Sequence, residues 1–126
     1  MQIIIQNSSE IPIYEQISMQ IKAQIVSAEL KEHDLLPSVR GLAKELKISA
    51  LTVKKAYDYL EEQGFIVTVH GKGSFIASTN AELVKEELRS QVDADLEIAI
   101  QKAKSCGMTK DEMMELFLLI WEDESC

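Results

Sequence analysis

The stretch LLPSVRGLAKELKISALTVKKAYDYLEEQG, residues 35–64, decides the fold. Pro37 disfavours helix at the residue before it, and Ser38 is a favourable N-cap for a helix over residues 39–47. After a tight turn, Ser49 is a second favourable N-cap, and the spacing predicts another helix that ends before the glycine closing the stretch. Two short helices joined by so brief a turn are typical of a helix-turn-helix unit.

Both predicted helices have an apolar stripe at helical spacing. The stripe of the first helix consists of Val39, Leu42, Ala43 and Leu46, and that of the second consists of Val53, Ala56, Tyr57 and Leu60. The outer, N-terminal part of the second helix carries Ala50, Leu51, Thr52, Lys54 and Lys55. In a helix-turn-helix this part enters the major groove of DNA. The same periodicity also fits an ordinary helical hairpin in a bundle.

A β-hairpin is predicted directly after the second helix. The segment FIVTV, residues 65–69, is β-branched and aromatic, and SFIA, residues 74–77, is a second short strand. Between them HGKG supplies Gly71 and Gly73 for the positive φ angles of a turn. A hairpin in this position is a wing, which favours a winged helix-turn-helix over a bundle. We expect Lys72 at its tip to contact DNA, although such a turn is often merely solvated.

The chain before this region predicts one more helix. Pro12 suits the first helical position, because its missing N–H is not needed there. The apolar face consists of Ile13, Tyr14, Ile17, Ile21, Ile25 and Ala28. This helix is expected to fade over residues 29–31, and Ile3 to Ile5 form a short β-favouring run.

Four segments carry a family resemblance: Pro37-Ser38-Val39-Arg40-Gly41-Leu42-Ala43, then Ser49-x-x-Thr52-Val53-x-x-Ala56-Tyr57-x-x-Leu60, then Gly64-Phe65-Ile66 with Gly71-Lys72-Gly73-Ser74-Phe75-Ile76, and the opening Pro12-Ile13-Tyr14-Glu15-Gln16-Ile17. Together they resemble the DNA-binding domain of GntR-family regulators over residues 10–77. The short remainder is similar to the YtrA subfamily, whose members carry two helices in place of a large effector-binding domain.

The resemblance implies roles for matching residues. Arg40 is similar to a family arginine that reaches DNA, and its guanidinium suits a guanine edge or a phosphate. Ser38 and Ser49 would present hydroxyls and helix N-termini to phosphates. Thr52 and Lys55 would face the groove. The predicted DNA-binding residues are Ser38, Arg40, Ser49, Ala50, Leu51, Thr52, Lys54, Lys55, His70, Gly71, Lys72 and Gly73.

The chain departs from the family at two of these positions. Many members have arginine or asparagine where this chain has Ala50 and Leu51. Base recognition by the second helix is therefore expected to be more apolar, for example against thymine methyl groups. The bases that it specifies do not follow from the sequence.

Charge is distributed unevenly along the chain. The whole sequence carries −8, which by itself opposes binding to phosphates, but residues 36–76 carry +2 and the rest carries −10. A mildly basic middle between acidic ends indicates separate roles for separate segments. The N-terminus has no readable signal peptide, and no apolar run approaches membrane-spanning length, so a cytoplasmic location is expected.

The C-terminal segment predicts two helices and a dimer. Thr79 or Asn80 would cap a long helix that Gly107 ends, and Thr109 with Glu112 forms a capping box for the last helix. In that helix MMELFLLIW is apolar nearly all round, which a second copy would bury most simply, although packing within one chain is the alternative. The expected interface comprises Leu88, Val92, Leu96, Met113, Phe117, Ile120 and Trp121.

The overall expectation is an α+β, mostly α fold: a winged helix-turn-helix domain over residues 1–77 and a two-helix dimerisation tail over residues 78–126. No catalytic residue, metal site or cofactor is expected, because His33 and His70 are isolated and Cys106 and Cys126 lack ligand spacing. The expected partners are double-stranded operator DNA and a second copy. The resemblance favours a repressor, and no effector is identifiable. The alternative is a protein-interaction module that uses the same fold without DNA.

Overall fold

The computed structural model describes residues 1–78 and 81–124. Within them the order of elements is α1 (Ile13–Val26), α2 (Val39–Leu46), α3 (Ala50–Glu62), β1 (Ile66–Val69), β2 (Gly73–Ile76), α4 (Ala81–Ser105) and α5 (Lys110–Glu124). By contacts the chain divides into two compact units, Met1–Glu86 and Glu87–Cys126. The predicted fold class, mostly helical with a winged helix-turn-helix, is confirmed; the predicted domain boundary at residues 77 and 78 remains a prediction.

Serine side chains begin both helices of the helix-turn-helix, as the sequence predicts. The Gly41 N–H donates to Ser38 Oγ at 3.0 Å, and the Leu51 N–H donates to Ser49 Oγ at 3.1 Å. Between the helices Lys47 adopts a left-handed conformation with φ of 58°. The caps satisfy N–H groups that the first helical turns leave without partners, so α2 and α3 begin at defined residues.

The inner face of α3 is the centre of the first unit, since α3 packs on α1, α2 and β1. Val53, Ala56 and Leu60 are fully buried there, and Ile17 and Ile21 of α1 are fully buried too. The predicted apolar stripe of α3 is therefore the core. Burying one such valine or leucine side chain contributes about 1.5–3 kcal/mol.

The wing is a two-stranded antiparallel hairpin in which Ile66 pairs with Ile76 and Val69 pairs with Gly73. Gly71 and Gly73 have φ angles of 78° and 117°, which confirms the prediction that the turn requires glycine. The chain ahead of α2 extends this sheet, because the Leu36 N–H donates to the Ser74 carbonyl at 2.9 Å. The hairpin is thereby tied to the start of the helix-turn-helix.

The end of α1 differs from the sequence expectation. The helix ends at Val26, before residues 29–31, and Ala28 is exposed with a φ of 65° instead of lying on the apolar face. The chain turns here so that Leu30 becomes buried, and the Leu30 N–H donates to the Gln24 carbonyl at 3.0 Å. Burial of Leu30 therefore overrides the helical periodicity.

The N-terminal segment, residues 1–6, is held by α1 side chains and is not a strand as its β-favouring residues suggest. Gln20 accepts from the Ile4 N–H at 2.9 Å and donates to the Ile4 carbonyl at 2.6 Å. Gln16 bonds the N–H and the carbonyl of Gln6 in the same manner, and Gln24 donates to the Gln2 carbonyl at 2.7 Å. Four helical residues rise about 6 Å and two extended residues about 6.7 Å, so the repeats nearly match.

In the second unit the predicted turn chemistry is confirmed. Gly107 has a φ of 78° after α4, and the capping box is complete, with Thr109 N–H to Glu112 Oε1 at 3.0 Å and Glu112 N–H to Thr109 Oγ1 at 3.2 Å. The predicted cap at Thr79 or Asn80 lies outside the described residues. In the part of the chain that the structure describes, no helix is long and apolar enough to cross a membrane.

Gln16 offers a test of this side-chain docking. Gln16 is 8% exposed and makes three hydrogen bonds, to the Gln6 N–H and to the carbonyls of Gln6 and Ile11, whereas Gln20 is half-buried and makes two. Gln16→Ala is expected to lower the free energy of unfolding by about 2–3 kcal/mol, and the control Gln20→Ala by about 1 kcal/mol. Urea denaturation at one protein concentration measures the free energy of unfolding of both variants. Equal losses would contradict the larger contribution assigned to the buried Gln16.

Candidate nucleic-acid interface

The predicted DNA-binding residues lie on the surface of the first unit. Eleven of the twelve are exposed and Thr52 is half-buried. Leu51, in the first turn of α3, is 77% exposed, so an apolar side chain faces solvent there. The side chains of the first turns of α2 and α3 are therefore accessible, at the helix ends that carry a partial positive charge.

A cleft of about 440 Å³ lies between α3, the start of α2 and the hairpin, and we call it the α3–hairpin cleft. Its lining residues are Val39, Arg40, Ala50, Leu51, Lys54, Tyr57, Asp58, Glu61, Thr68 and Ser74. It brings together four predicted residues, Arg40, Ala50, Leu51 and Lys54. The other predicted residues lie outside its lining, some at the hairpin tip and some at helix starts.

The hairpin tip carries His70 and Lys72, both exposed as expected. The Lys72 N–H donates to the Val69 carbonyl at 2.9 Å and closes the turn. The backbone of the tip is thus ordered while the ammonium group of Lys72 extends into solvent. A flexible cation in this place suits contact with a phosphate more than discrimination among bases.

Lys54, inside the α3–hairpin cleft, is paired along its own helix. Its Nζ donates to Asp58 Oδ2 at 2.7 Å, and both side chains are more than half exposed. The hydrogen bond to Asp58, followed by the negative charge of that carboxylate, raises the pKa of Lys54 above its ordinary value. Lys54 is therefore charged at neutral pH, with a carboxylate as its neighbour.

Lys55 points away from the cleft. Its Nζ lies 4.1 Å from the centre of the Tyr14 ring, and that ring meets Tyr59 edge to face. The cation–π contact places the ammonium group against the start of α1. The structure thus separates Lys54 from Lys55, although sequence analysis assigned both to the DNA-binding face; the assignment of Lys55 remains a prediction.

Six residues that line the cleft are not among the predicted DNA-binding residues. Val39 and Tyr57 belong to the predicted apolar stripes, and the other four are Asp58, Glu61, Thr68 and Ser74. Thr68 and Ser74 are partners across the hairpin, and their hydroxyl oxygens lie 3.0 Å apart. Because side chains alternate along a strand, the sequence could have placed Thr68 on the same face of the hairpin as Ile66. It could not have shown that this part of the hairpin lies beside α3. The two hydroxyls face the same space as Arg40 and Lys54, where they can donate to an anionic oxygen.

Tyr57 joins α3 to the segment ahead of α2. Its phenol O–H donates to the Pro37 carbonyl at 2.8 Å, and burial raises the pKa of this phenol well above its ordinary value. The ring is 4% exposed. The bond holds the chain immediately before the Ser38 cap, and so it sets where Arg40 stands relative to α3.

The chain matches a known family along half of its length. Residues 13–76 match the model described as "Bacterial regulatory proteins, gntR family". It is 40% identical over 111 residues to the "Uncharacterized HTH-type transcriptional regulator YhcF" of Bacillus subtilis, covering 87% of this chain and 90% of that one. It is 35% identical to the "HTH-type transcriptional repressor YtrA" of the same organism, covering 85% and 82%.

Solved structures agree with these matches. YtrA from Sulfolobus acidocaldarius, described as a GntR-family transcription factor, is 41% identical with a TM-score of 0.60, covering 75% of this chain and 96% of that chain. AraR(DBD) in complex with operator ORX1 is 25% identical with a TM-score of 0.54, covering 60% and 95%.

Tyr57→Phe is expected to lower the free energy of unfolding by about 1 kcal/mol, because the Pro37 carbonyl loses its donor while the ring packing is kept. Tyr59→Phe is the matched control, since Tyr59 is partly exposed and its hydroxyl accepts from the exposed Gln63 Nε2 at 3.1 Å. Thermal unfolding compares the two. A loss for Tyr57→Phe no larger than that of the control would show that this bond does not hold the segment.

Proposed function

Because the chain belongs to the GntR family of bacterial transcriptional regulators, and to its YtrA-like subfamily, we propose that it is a repressor that binds a two-fold symmetric DNA operator as a homodimer. Membership makes it a regulator with a DNA-binding domain and not an enzyme. The proposal adds the direction of regulation, the symmetry of the site and the oligomeric state. The predicted DNA-binding residues and the division into residues 1–77 and 78–126 are part of the same proposal.

The arrangement around the first turn of α3 is the observation that supports DNA binding. Leu51 is exposed there, Arg40 and Lys54 lie beside it, and the hairpin stands across the cleft. With α3 in the major groove, the hairpin would reach the adjacent minor groove or backbone. Repression is supported by the name of the B. subtilis YtrA relative, which is a transcriptional repressor.

The apolar surface of α5 supports the homodimer. Its large side chains Met114, Leu116, Phe117, Leu118, Leu119, Ile120 and Trp121 are between 42% and 68% exposed. Phe117 and Trp121 stack at 5.7 Å between ring centres, and they form a continuous aromatic area. Large apolar side chains exposed side by side on one helix are typical of an interface in soluble proteins. A second copy would also place two α3 helices on the two halves of a symmetric site.

The test of function is a titration of the full chain against a duplex of its own promoter region and against a scrambled duplex. Binding is measured by fluorescence anisotropy at several salt concentrations. Tighter binding to the promoter duplex with a steep dependence on salt is expected, because Lys and Arg contacts release counterions from DNA. Failure to bind either duplex at low salt would overturn the proposal in favour of a protein-interaction module, which the charge of −8 would suit.

Arg40→Ala is expected to weaken promoter binding by about 1–3 kcal/mol per protomer, as loss of a bidentate contact to a guanine or phosphate would. Lys44→Ala is the control, because it removes the same charge from the exposed side of the same helix outside the α3–hairpin cleft. Both variants are measured at one salt concentration. Wild-type affinity for Arg40→Ala would rule out its assigned role.

Phe117→Asp is expected to convert the dimer into a monomer at micromolar concentration, since a charge at the centre of a buried apolar contact is strongly unfavourable. Met19→Asp serves as the control, because Met19 is 49% exposed on α1, close to the 50% of Phe117, and is not in the predicted interface. Sedimentation velocity distinguishes the two. A monomeric wild-type chain under the same conditions would refute the dimer.

A further inference from the structure

The α3–hairpin cleft contains two carboxylates on the surface proposed to face DNA, those of Asp58 and Glu61. With α3 in the major groove and the hairpin over the adjacent minor groove, the sugar-phosphate strand between these grooves passes through the cleft. Every phosphate on it is negatively charged. Carboxylates in this position therefore oppose the binding of any duplex, whatever its sequence.

Asp58 has a second effect, which operates through Lys54. The Lys54 Nζ is 2.7 Å from Asp58 Oδ2, one helical turn away, and the two side chains are 61% and 63% exposed. The pair is thus open to solvent and to an incoming phosphate, so it can exchange. Lys54 can contact a phosphate with its full charge only when it leaves this carboxylate.

We propose that Asp58 is a positioning residue that competes with DNA phosphate for Lys54 and so lowers the sequence-independent part of DNA affinity. This inference rests on the proposed DNA-binding function. The competition takes place between two oxygen anions for one ammonium group, and no base takes part in it. It therefore acts equally on operator and on random DNA, unlike a residue that reads a base edge.

The test is Asp58→Asn in the full chain, titrated with the promoter duplex and with a scrambled duplex at several salt concentrations. Affinity for both duplexes is expected to rise by roughly fourfold for a dimer, because an exposed pair at this spacing is worth about a factor of two per protomer. The slope of log affinity against log salt is expected to steepen by up to about 0.9 for each lysine released.

Two further variants separate the competition from a general change of charge. Glu62→Gln removes the same charge from the same helix at an exposed position outside the cleft, and its effect on both affinity and slope is expected to be smaller. In a Lys54→Gln background, Asp58→Asn is expected to leave the salt slope unchanged, since no lysine remains to be released. Circular dichroism confirms that each variant is folded.

The outcomes distinguish this inference from the function on which it rests. If the wild type binds neither duplex, the proposed function fails and the inference fails with it. If the wild type binds but Asp58→Asn behaves like Glu62→Gln, only the inference is overturned. If Asp58→Asn weakens binding to the promoter duplex alone, Asp58 reads a base and the competition is likewise refuted.

Discussion

The inner face of α3 meets α1, α2 and β1 at once, so a single stripe of side chains holds together the three helices and the first strand of the winged helix, and β2 joins them by pairing with β1. Val53, Ala56 and Leu60 have no exposed surface. Because interiors are close-packed, α3 can neither rotate nor slide without opening a void beside these residues. The opposite face, with Leu51 and Lys54, is consequently held outward in one orientation.

Hydrogen bonds position the segment ahead of α2 and the first turns of α2 and α3, which the apolar core does not fix. The Tyr57 hydroxyl holds the Pro37 carbonyl, and the Ser38 and Ser49 caps define the first residues of α2 and α3. The Leu36 N–H joins the same segment to the hairpin. Arg40 stands directly after this segment, so its position relative to α3 and the hairpin follows from backbone bonding.

The charge of the chain is consistent with a regulator that must release DNA as well as bind it. The net charge is −8, and within the α3–hairpin cleft Arg40 and Lys54 are balanced by Asp58 and Glu61. Long-range attraction to phosphate is therefore weak. Under the proposed function, selection of a site would depend on short-range contacts from the first turn of α3 and on pairing of two protomers through α5.

The sequence by itself determined the helix-turn-helix and the hairpin, with boundaries correct to within one residue, because serine caps, glycine turns and apolar periodicity act over a few residues. It also singled out Arg40 and the hairpin tip. Only the tertiary structure decided where α1 ends, since that depends on burying Leu30, and how the N-terminal segment docks, since Gln16, Gln20 and Gln24 act on residues 10 to 22 positions away. The Lys54–Asp58 pair spans one helical turn of α3, so its spacing can be read from the sequence. Only the tertiary structure placed Lys55 against Tyr14 of α1, because that residue lies 41 positions away in the chain.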